Sequence, residues 1–475
     1  MKRIIIIGGG VAGLSAAHRL QQLADESGED LDLALLESAG YWGGKILTER
    51  VNGFVIEGGP DTFLATKPWG VSLCRELGLE ERLHGANPAQ RKTYVLNRGR
   101  LQPLPDGLAL MIPARFSSMA RTPLLSPLAK ARLGLDYFLP PRSLDGDESL
   151  GAFVSRRLGR PAYERLIEPL MSGIYAGDGD QLSLQATFPY LRDLELKHGG
   201  LLRGALAARR QASQNGKSAP GSPSAFLTPT SGLAEIVEAL VARLAAGEAD
   251  LRLNSPVTSL TRRGPGYRVA LAGGESLEAE GIILAAPAYT SGDLLADLDP
   301  TLAAELRAIP YTSTATVSLA YPLDQVPRPL DGYGYVIPRG EGRRALACTW
   351  TSTKFPHRAP PGYALLRVFI GRAGQSFPWE EDRLLELARD ELRQTLGITA
   401  APFLWRVFRW EKAMPQYNLG HPERLARLEI ALERHPGLAL AGNGYRGLGL
   451  PDCIHSGQQA AEKNWKATLI NADYR

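Results

Sequence analysis

Six residues near the start of the chain, Gly8-Gly9-Gly10-Val11-Ala12-Gly13, have the types and spacing to hold a phosphate chain. The pattern is GxGxxG, carried by Gly8, Gly10 and Gly13. The first glycine permits a tight turn, the second lets backbone approach a pyrophosphate, and the third lets a helix pack on a strand. Free N–H groups and the positive end of a helix dipole then face the anion. Glu37 stands 24 residues after Gly13, where a carboxylate can accept both hydroxyls of a ribose. That chemistry is dinucleotide binding, and it requires a strand before the glycines and a helix after them.

Both elements are legible. Residues 3–7 read as a buried parallel strand, because Ile4-Ile5-Ile6-Ile7 is apolar without alternation. Residues 11–24 read as a helix with Leu14, Ala17, Leu20 and Leu23 on one face. Residues 31–36 read as a second parallel strand that ends at Glu37. Further helices are predicted over 150–158, 161–171, 233–246, 380–396 and 456–469. Strands are predicted over 282–285, 315–320, 345–350, 365–369 and 438–441. Residues 211–225, QASQNGKSAPGSPSA, read as a mobile loop. Residues 101–142 are rich in Pro and Leu and hold only Asp106 and Asp136 against Arg115, Arg121, Lys130, Arg132 and Arg142. They read either as helices lying on a membrane or as a helical cap over a cavity, and the prolines favour the cap.

The chain of 475 residues is long enough for more than one domain. Its 54 basic and 50 acidic residues leave a net charge of +4, which argues against a nucleic-acid partner. With 44% hydrophobic and 22% charged residues it is not a disordered chain. Cys74, Cys348 and Cys453 are far apart and form no CxxC pair, which points to a reducing compartment without a disulfide framework. No His or Cys spacing predicts a metal site. The opening apolar run is too short for a signal peptide, and no run is long enough to span a bilayer. A cytoplasmic protein is expected, with peripheral membrane contact left open.

Other strings are more specific than the glycine turn. They are Gly43-Gly44-Lys45, Phe54-Val55-Ile56-Glu57-Gly58-Gly59-Pro60-Asp61, SGIYAGD at 172–178, CTWTS at 348–352, WEKAMPQY at 410–417 and GLGLPDCI at 447–454. Together they resemble the FAD-dependent amine oxidase superfamily, and within it the porphyrinogen oxidases of haem biosynthesis. The middle strings are most similar to the bacterial coproporphyrinogen III oxidase branch. The resemblance covers nearly the whole chain. One position departs from the pattern: the family has Arg four residues after the ribose carboxylate, and Tyr41 stands there.

The resemblance implies an α/β fold: a FAD-binding Rossmann-like domain of the amine-oxidase type, a mixed-sheet substrate domain and a helical insertion. The implied FAD segments are 1–65, 226–290 and 431–475. The substrate domain takes 66–100 and 291–430, the insertion 101–200, and a flexible linker 201–225. FAD is expected to be non-covalent, because the residues around Cys453 look like the non-covalent branch. Its expected contacts are Gly8, Gly9, Gly10, Val11, Ala12, Gly13, Glu37, Ser38, Gly44, Lys45, Gly58, Gly59, Pro60, Asp61, Val257, Trp410, Gly449, Leu450 and Pro451.

Lys67, Gly173, Tyr175 and Gly177 are the expected substrate contacts, Lys67 as an anchor for a propionate. Arg91 and Lys92 read as a solvated pair, and His357 is given no role. The implied reaction is six-electron, oxygen-dependent oxidation of coproporphyrinogen III to coproporphyrin III with release of hydrogen peroxide. Hydride passes to flavin N5, so no catalytic side chain is expected. Protoporphyrinogen IX oxidation is the nearest alternative. A carotenoid desaturase or amine oxidase is a more distant one. A non-catalytic flavin-bound partner that hands porphyrin to a ferrochelatase is another.

Overall fold

Ile4, Ile5, Ile6 and Ile7 are all buried, as a parallel strand covered on both faces requires. This strand, β1 (Lys2–Ile7), lies at the centre of a five-stranded sheet. β2 (Leu31–Leu36) and Gly281–Leu284 flank it, with Asp250–Arg252 and Leu438–Leu440 at the two edges. All four pairings are parallel, and the strands come from three distant stretches of chain. Helix α1 (Val11–Ser27) leaves the glycine turn and packs Leu14, Ala17 and Leu20 on one face of the sheet, together with the long C-terminal helix Leu450–Ala472. The computed structural model describes residues 2–105, 108–109, 112–113, 116–142, 146–214 and 224–472.

A second, seven-stranded sheet is mixed. Its order runs Leu404–Pro415, Tyr311–Pro322, Tyr363–Ile370, Ala345–Trp350, Gly332–Val336, Lys92–Asn97, Arg100–Pro103. Helix Glu381–Leu396 covers one face with Leu384, Ala388, Leu392 and Leu396, spaced at one helical turn. The third layer is helical. Leu150–Leu158, Glu168–Tyr175, Pro189–His198 and Leu201–Gln214 pack around Phe153, Leu166, Tyr175 and Leu202. Arg157, fully buried, ties this layer together by pairing with Asp136 at 2.5 Å and donating to the carbonyls of Pro140 and Gly199.

Several boundaries differ from the sequence expectation. A helix occupies Leu201–Gln214, where a linker was expected to begin, because Leu201, Leu202 and Ala205 find a buried face. The expected loop at 211–225 falls mostly outside the described residues. The C-terminal helix starts at Leu450, not 456, since Pro451 is tolerated in a first turn. The stretch 160–175 contains a five-residue wide turn, Tyr163–Ile167, between helical pieces. In the 116–138 region Leu124, Leu125, Ala129 and Leu133 pack inward as a cap would. Leu128 and Phe138 stand 81% and 75% exposed.

Candidate functional site

The glycine turn is shaped by collisions that only glycine avoids. A Cβ at Gly13 would lie 1.9 Å from the Gly8 carbonyl oxygen, and one at Gly9 2.4 Å from the Trp42 ring. At Gly8, with φ +114°, it would lie 2.8 Å from the Ala285 backbone. Gly10 is the exception. Its Cβ would meet nothing within 4 Å, so the backbone there borders open space at the N-terminus of α1. That is the place a pyrophosphate would approach. Val11, Ala12 and Gly13 form the first helical turn behind it.

Glu37 sits at the end of β2 and faces this turn. Its carboxylate accepts from Gly9 N–H at 2.6 Å and Ala39 N–H at 2.8 Å, with the Ser38 hydroxyl at 3.1 Å. Ser255 N–H donates to the Glu37 carbonyl at 2.8 Å and Asn254 N–H to that of Ala39 at 3.0 Å. Val257, two residues after Ser255, is the first residue of the strand Val257–Arg263. Tyr41 is 43% exposed and, with Trp42, Ile46 and Val237, lines a cavity of about 550 Å³.

The second glycine pair stacks on the first. Gly43 N–H donates to the Gly9 carbonyl at 2.9 Å, and a Cβ on Gly44 would lie 3.2 Å from the Gly10 Cα. The third pair continues the line, because a Cβ at Gly59 would lie 1.8 Å from the Lys45 carbonyl oxygen. Backbone contacts thus link Gly10, Gly44, Lys45 and Gly59 in one line, a candidate cofactor trough that leads from the N-terminus of α1 toward Pro60 and Asp61. The Lys45 ammonium is in a desolvated setting that pushes its pKa down, close to Cys453. The trough has the bare backbone and the positive helix end that a dinucleotide needs.

Asp61 ends the trough in a charged cluster. Lys354 Nζ lies 3.2 Å from its carboxylate. Burial alone would raise the Asp61 pKa, but the cations of Lys354 and Arg367 hold it at about 2. Beneath it, Glu57 pairs with Arg358 at 2.9 Å, and burial pushes the Glu57 carboxyl up despite that partner. Because the Asp61 pKa is depressed on folding, its stabilisation is present above the unfolded value near 4 and is lost as pH falls from about 4 to about 2. Urea unfolding at pH 5 and at pH 2.5 should show Asp61→Asn losing about 2 kcal/mol less than the wild type across that interval. Equal losses would show that the Lys354 pair does not contribute.

The expected substrate residues are placed unevenly. Lys67 is bound to Asp452 at 2.5 and 2.6 Å, and Asp452 also accepts from Gly449 N–H at 3.1 Å. Lys67 is thus already paired, at the glycine loop that precedes the C-terminal helix, although its side chain keeps 39% exposure. Gly173 and Tyr175 lie in the last turn of helix Glu168–Tyr175 and not in a loop, which begins only at Ala176, in the left-handed region. Gly173 is exposed, whereas Tyr175 is buried edge-on between Phe188 and Tyr417 and packs as a core aromatic. Gly177 follows in the loop, its carbonyl accepting from Arg339. Trp410 donates its Nε1–H to the Gly58 carbonyl at 2.9 Å. Leu450 is buried in the parallel-sheet core, and Pro451 packs by Gly70. The rings of His84 and His357 lie 4.6 Å apart, tilted by 36°. Lys92 pairs with Asp331 at 2.6 Å. Arg367, in a strand, Lys354, at the end of the short helix Thr351–Lys354, and Asp452, in the first turn of the C-terminal helix, escaped the sequence reading, because their partners lie far away along the chain.

Comparison with known proteins agrees with this geometry. The model of the flavin containing amine oxidoreductases matches residues 11–463. The coproporphyrinogen III oxidase of Bacillus subtilis (strain 168) is 37% identical over 462 residues, 97% of this chain and 97% of that protein. The chloroplastic protoporphyrinogen oxidase 1 of Arabidopsis thaliana is 29% identical over 484 residues, 96% of this chain and 87% of that one. A solved structure from Exiguobacterium sp. 255-15 is 32% identical and superposes with a TM-score of 0.85 over 99% of both chains. With the family model matching residues 11–463, most of its length, the chain belongs to the flavin containing amine oxidoreductases.

Proposed function

We propose that this chain oxidises coproporphyrinogen III to coproporphyrin III in haem biosynthesis, with non-covalently bound FAD and molecular oxygen as acceptor. The observation that carries the reading is near-full-length likeness to the Bacillus subtilis enzyme of that name. The line of backbone contacts from Gly10 to Gly59 supports it. FAD bound there would supply the hydride acceptor and its reoxidation by oxygen. Glu37 would hold the ribose, Gly10 and the N-terminus of α1 the pyrophosphate, and the Gly44–Lys45 and Gly58–Asp61 segments the remainder. The work left to the chain is to orient a large disc and exclude wrong geometries.

A non-covalent cofactor is supported by Cys453. Burial pushes its thiol up to about 12, which leaves it protonated and a poor nucleophile at neutral pH. Protoporphyrinogen IX oxidation is the second reading, favoured by the name of the Arabidopsis relative. The test is anaerobically prepared coproporphyrinogen III and protoporphyrinogen IX, each followed by porphyrin fluorescence with one enzyme sample. A higher kcat/KM for coproporphyrinogen is expected, and a clear preference for the other substrate would reverse the reading.

The four carboxylates of coproporphyrinogen should draw more on basic side chains than the two of protoporphyrinogen. Lys67→Ala is expected to raise KM for coproporphyrinogen about tenfold, near 1.4 kcal/mol, with kcat little changed. A propionate must share Lys67 with Asp452, so equal changes under about twofold for both substrates would assign Lys67 to that ion pair alone. Peripheral membrane contact through Leu128, Leu135, Tyr137 and Phe138 belongs to the same proposal, and co-sedimentation with anionic vesicles tests it. Among the described residues no helix is long and apolar enough to cross a membrane.

A further inference from the structure

The peptide unit joining Gly58 to Gly59 is gripped on one side only. Its carbonyl, that of Gly58, accepts from Thr316 Oγ1 at 2.9 Å, Trp410 Nε1 at 2.9 Å and Arg367 Nη2 at 3.0 Å. The same guanidinium nitrogen donates to the Gly59 carbonyl. The amide of that unit, Gly59 N–H, has no hydrogen-bond partner among the described residues. Donors converging on a carbonyl polarise the whole peptide, so this N–H is a strengthened donor that the protein itself leaves available. No side chain can intrude, since a Cβ at Gly58 would lie 2.7 Å from the Phe408 ring and one at Gly59 would strike the Lys45 carbonyl.

The charges around this peptide do not balance. Glu57 is paired with Arg358 and Asp61 with Lys354. Arg367, only 3% exposed, has no carboxylate within ion-pair distance among the described residues, and its Nε–H has no partner. Its guanidinium lies 4.7 Å from the Phe369 ring centroid, and the already paired Asp61 and Glu57 favour its charge from beyond ion-pair distance, but burial outweighs both. A buried cation in this state is costly unless the site receives negative charge. In sequence nothing marks it, since YALLRVFI reads as an ordinary strand with one polar position.

Resting on the reading that FAD occupies the trough, we propose that Arg367 is a positioning residue for the flavin. With Thr316 and Trp410 it fixes and polarises the Gly58–Gly59 peptide, and its charge favours the reduced cofactor. A bound flavin would gain one negative charge on accepting a hydride, and the buried Arg367 guanidinium and the polarised Gly59 N–H would favour that charged form over the neutral oxidised one.

The experiment is a redox titration against a reference dye, with FAD affinity measured by titrating apo-protein. It uses wild type, Arg367→Met, Arg367→Lys and Thr316→Val. Arg367→Met should shift the two-electron equilibrium toward oxidised flavin by about tenfold or more, near 30 mV. Arg367→Lys keeps the charge and should recover most of that shift. Thr316→Val removes one of the three donors and should shift the equilibrium about threefold in the same direction. An Arg367→Met protein that holds FAD at an unchanged potential overturns the proposal, as does a Lys variant shifted as far as Met. If Arg367→Met does not fold, Thr316→Val decides: a shifted potential supports the polarised peptide and an unchanged one refutes it. A wild-type protein that binds no FAD would instead sink the functional reading on which the proposal rests.

Discussion

Gly10→Val is expected to purify folded and colourless. Gly10 has φ −71° and ψ 173°, which any residue can adopt, and its Cβ would enter open space. The protein alone therefore loses little, and its thermal midpoint should stay within a few degrees of wild type. The same open space is where the pyrophosphate must come to the N-terminus of α1, so a valine there displaces it. FAD affinity should fall by about a hundredfold or more, near 2.7 kcal/mol. Visible absorbance of the purified protein and apo-protein titration read this directly. A yellow Gly10→Val protein with full flavin content would remove the glycine turn from the cofactor site. Heat denaturation of wild type provides the companion measurement: all flavin should pass to the supernatant, and flavin retained in the pellet would implicate Cys453.

Gly13→Ala should fail in the opposite way. Three residues along the same motif, its Cβ would lie 1.9 Å from the Gly8 carbonyl oxygen and 3.2 Å from the Ala285 Cβ, neither of which is the end of a flexible side chain that could yield. Overpacking of this kind costs about 1–3 kcal/mol where the surroundings can relax, and this contact sits at or beyond the upper end. Low soluble yield and a clearly lowered urea midpoint are expected, with flavin lost only because the fold is lost. A Gly13→Ala protein with wild-type midpoint would show that α1 does not pack on β1 as described. The pair of variants separates the two tasks of one motif: Gly10 leaves room for a ligand, and Gly13 leaves room for the chain.

The parallel strand β1, helix α1 and the position of Glu37 were legible because each depends on residues close along the chain. Ile4 to Ile7 can only be covered on both faces, and the glycines then have to turn the chain into a helix. The strand Ala345–Trp350 and helix Leu150–Leu158 were likewise readable from local pattern. Leu201–Gln214 was not, because its opening turn is followed by Arg203, Arg209 and Arg210 and then a polar run. Its helical state is secured by a buried face, in which Asp136 accepts from Leu202 N–H at 2.7 Å. The start of the last helix was misplaced for a related reason: Pro451 and the glycines before Leu450 look like loop, although the helix begins at Leu450 with Pro451 in its first turn.

The types of residue at the glycine turn, the ribose carboxylate and the family strings could be taken from the order of amino acids alone. A Gly or Glu at those places acts through its own backbone or its own side chain. Which residues meet across the fold could not. Lys67 meets Asp452, Arg358 meets Glu57, and Arg367 reaches the carbonyls of Gly58 and Gly59. Each of those partners is some 300 or more residues away along the chain. They are brought together by the register of Tyr363–Ile370 against Tyr311–Pro322 and by the docking of the C-terminal helix on α1. A one-residue change of that register would turn Arg367 to the opposite face of the sheet and leave Gly58 without its charged donor. The cofactor motif is thus a local property of the chain, while the electrostatic surroundings of the site exist only once the mixed sheet and the C-terminal helix have brought distant residues to the glycine segments.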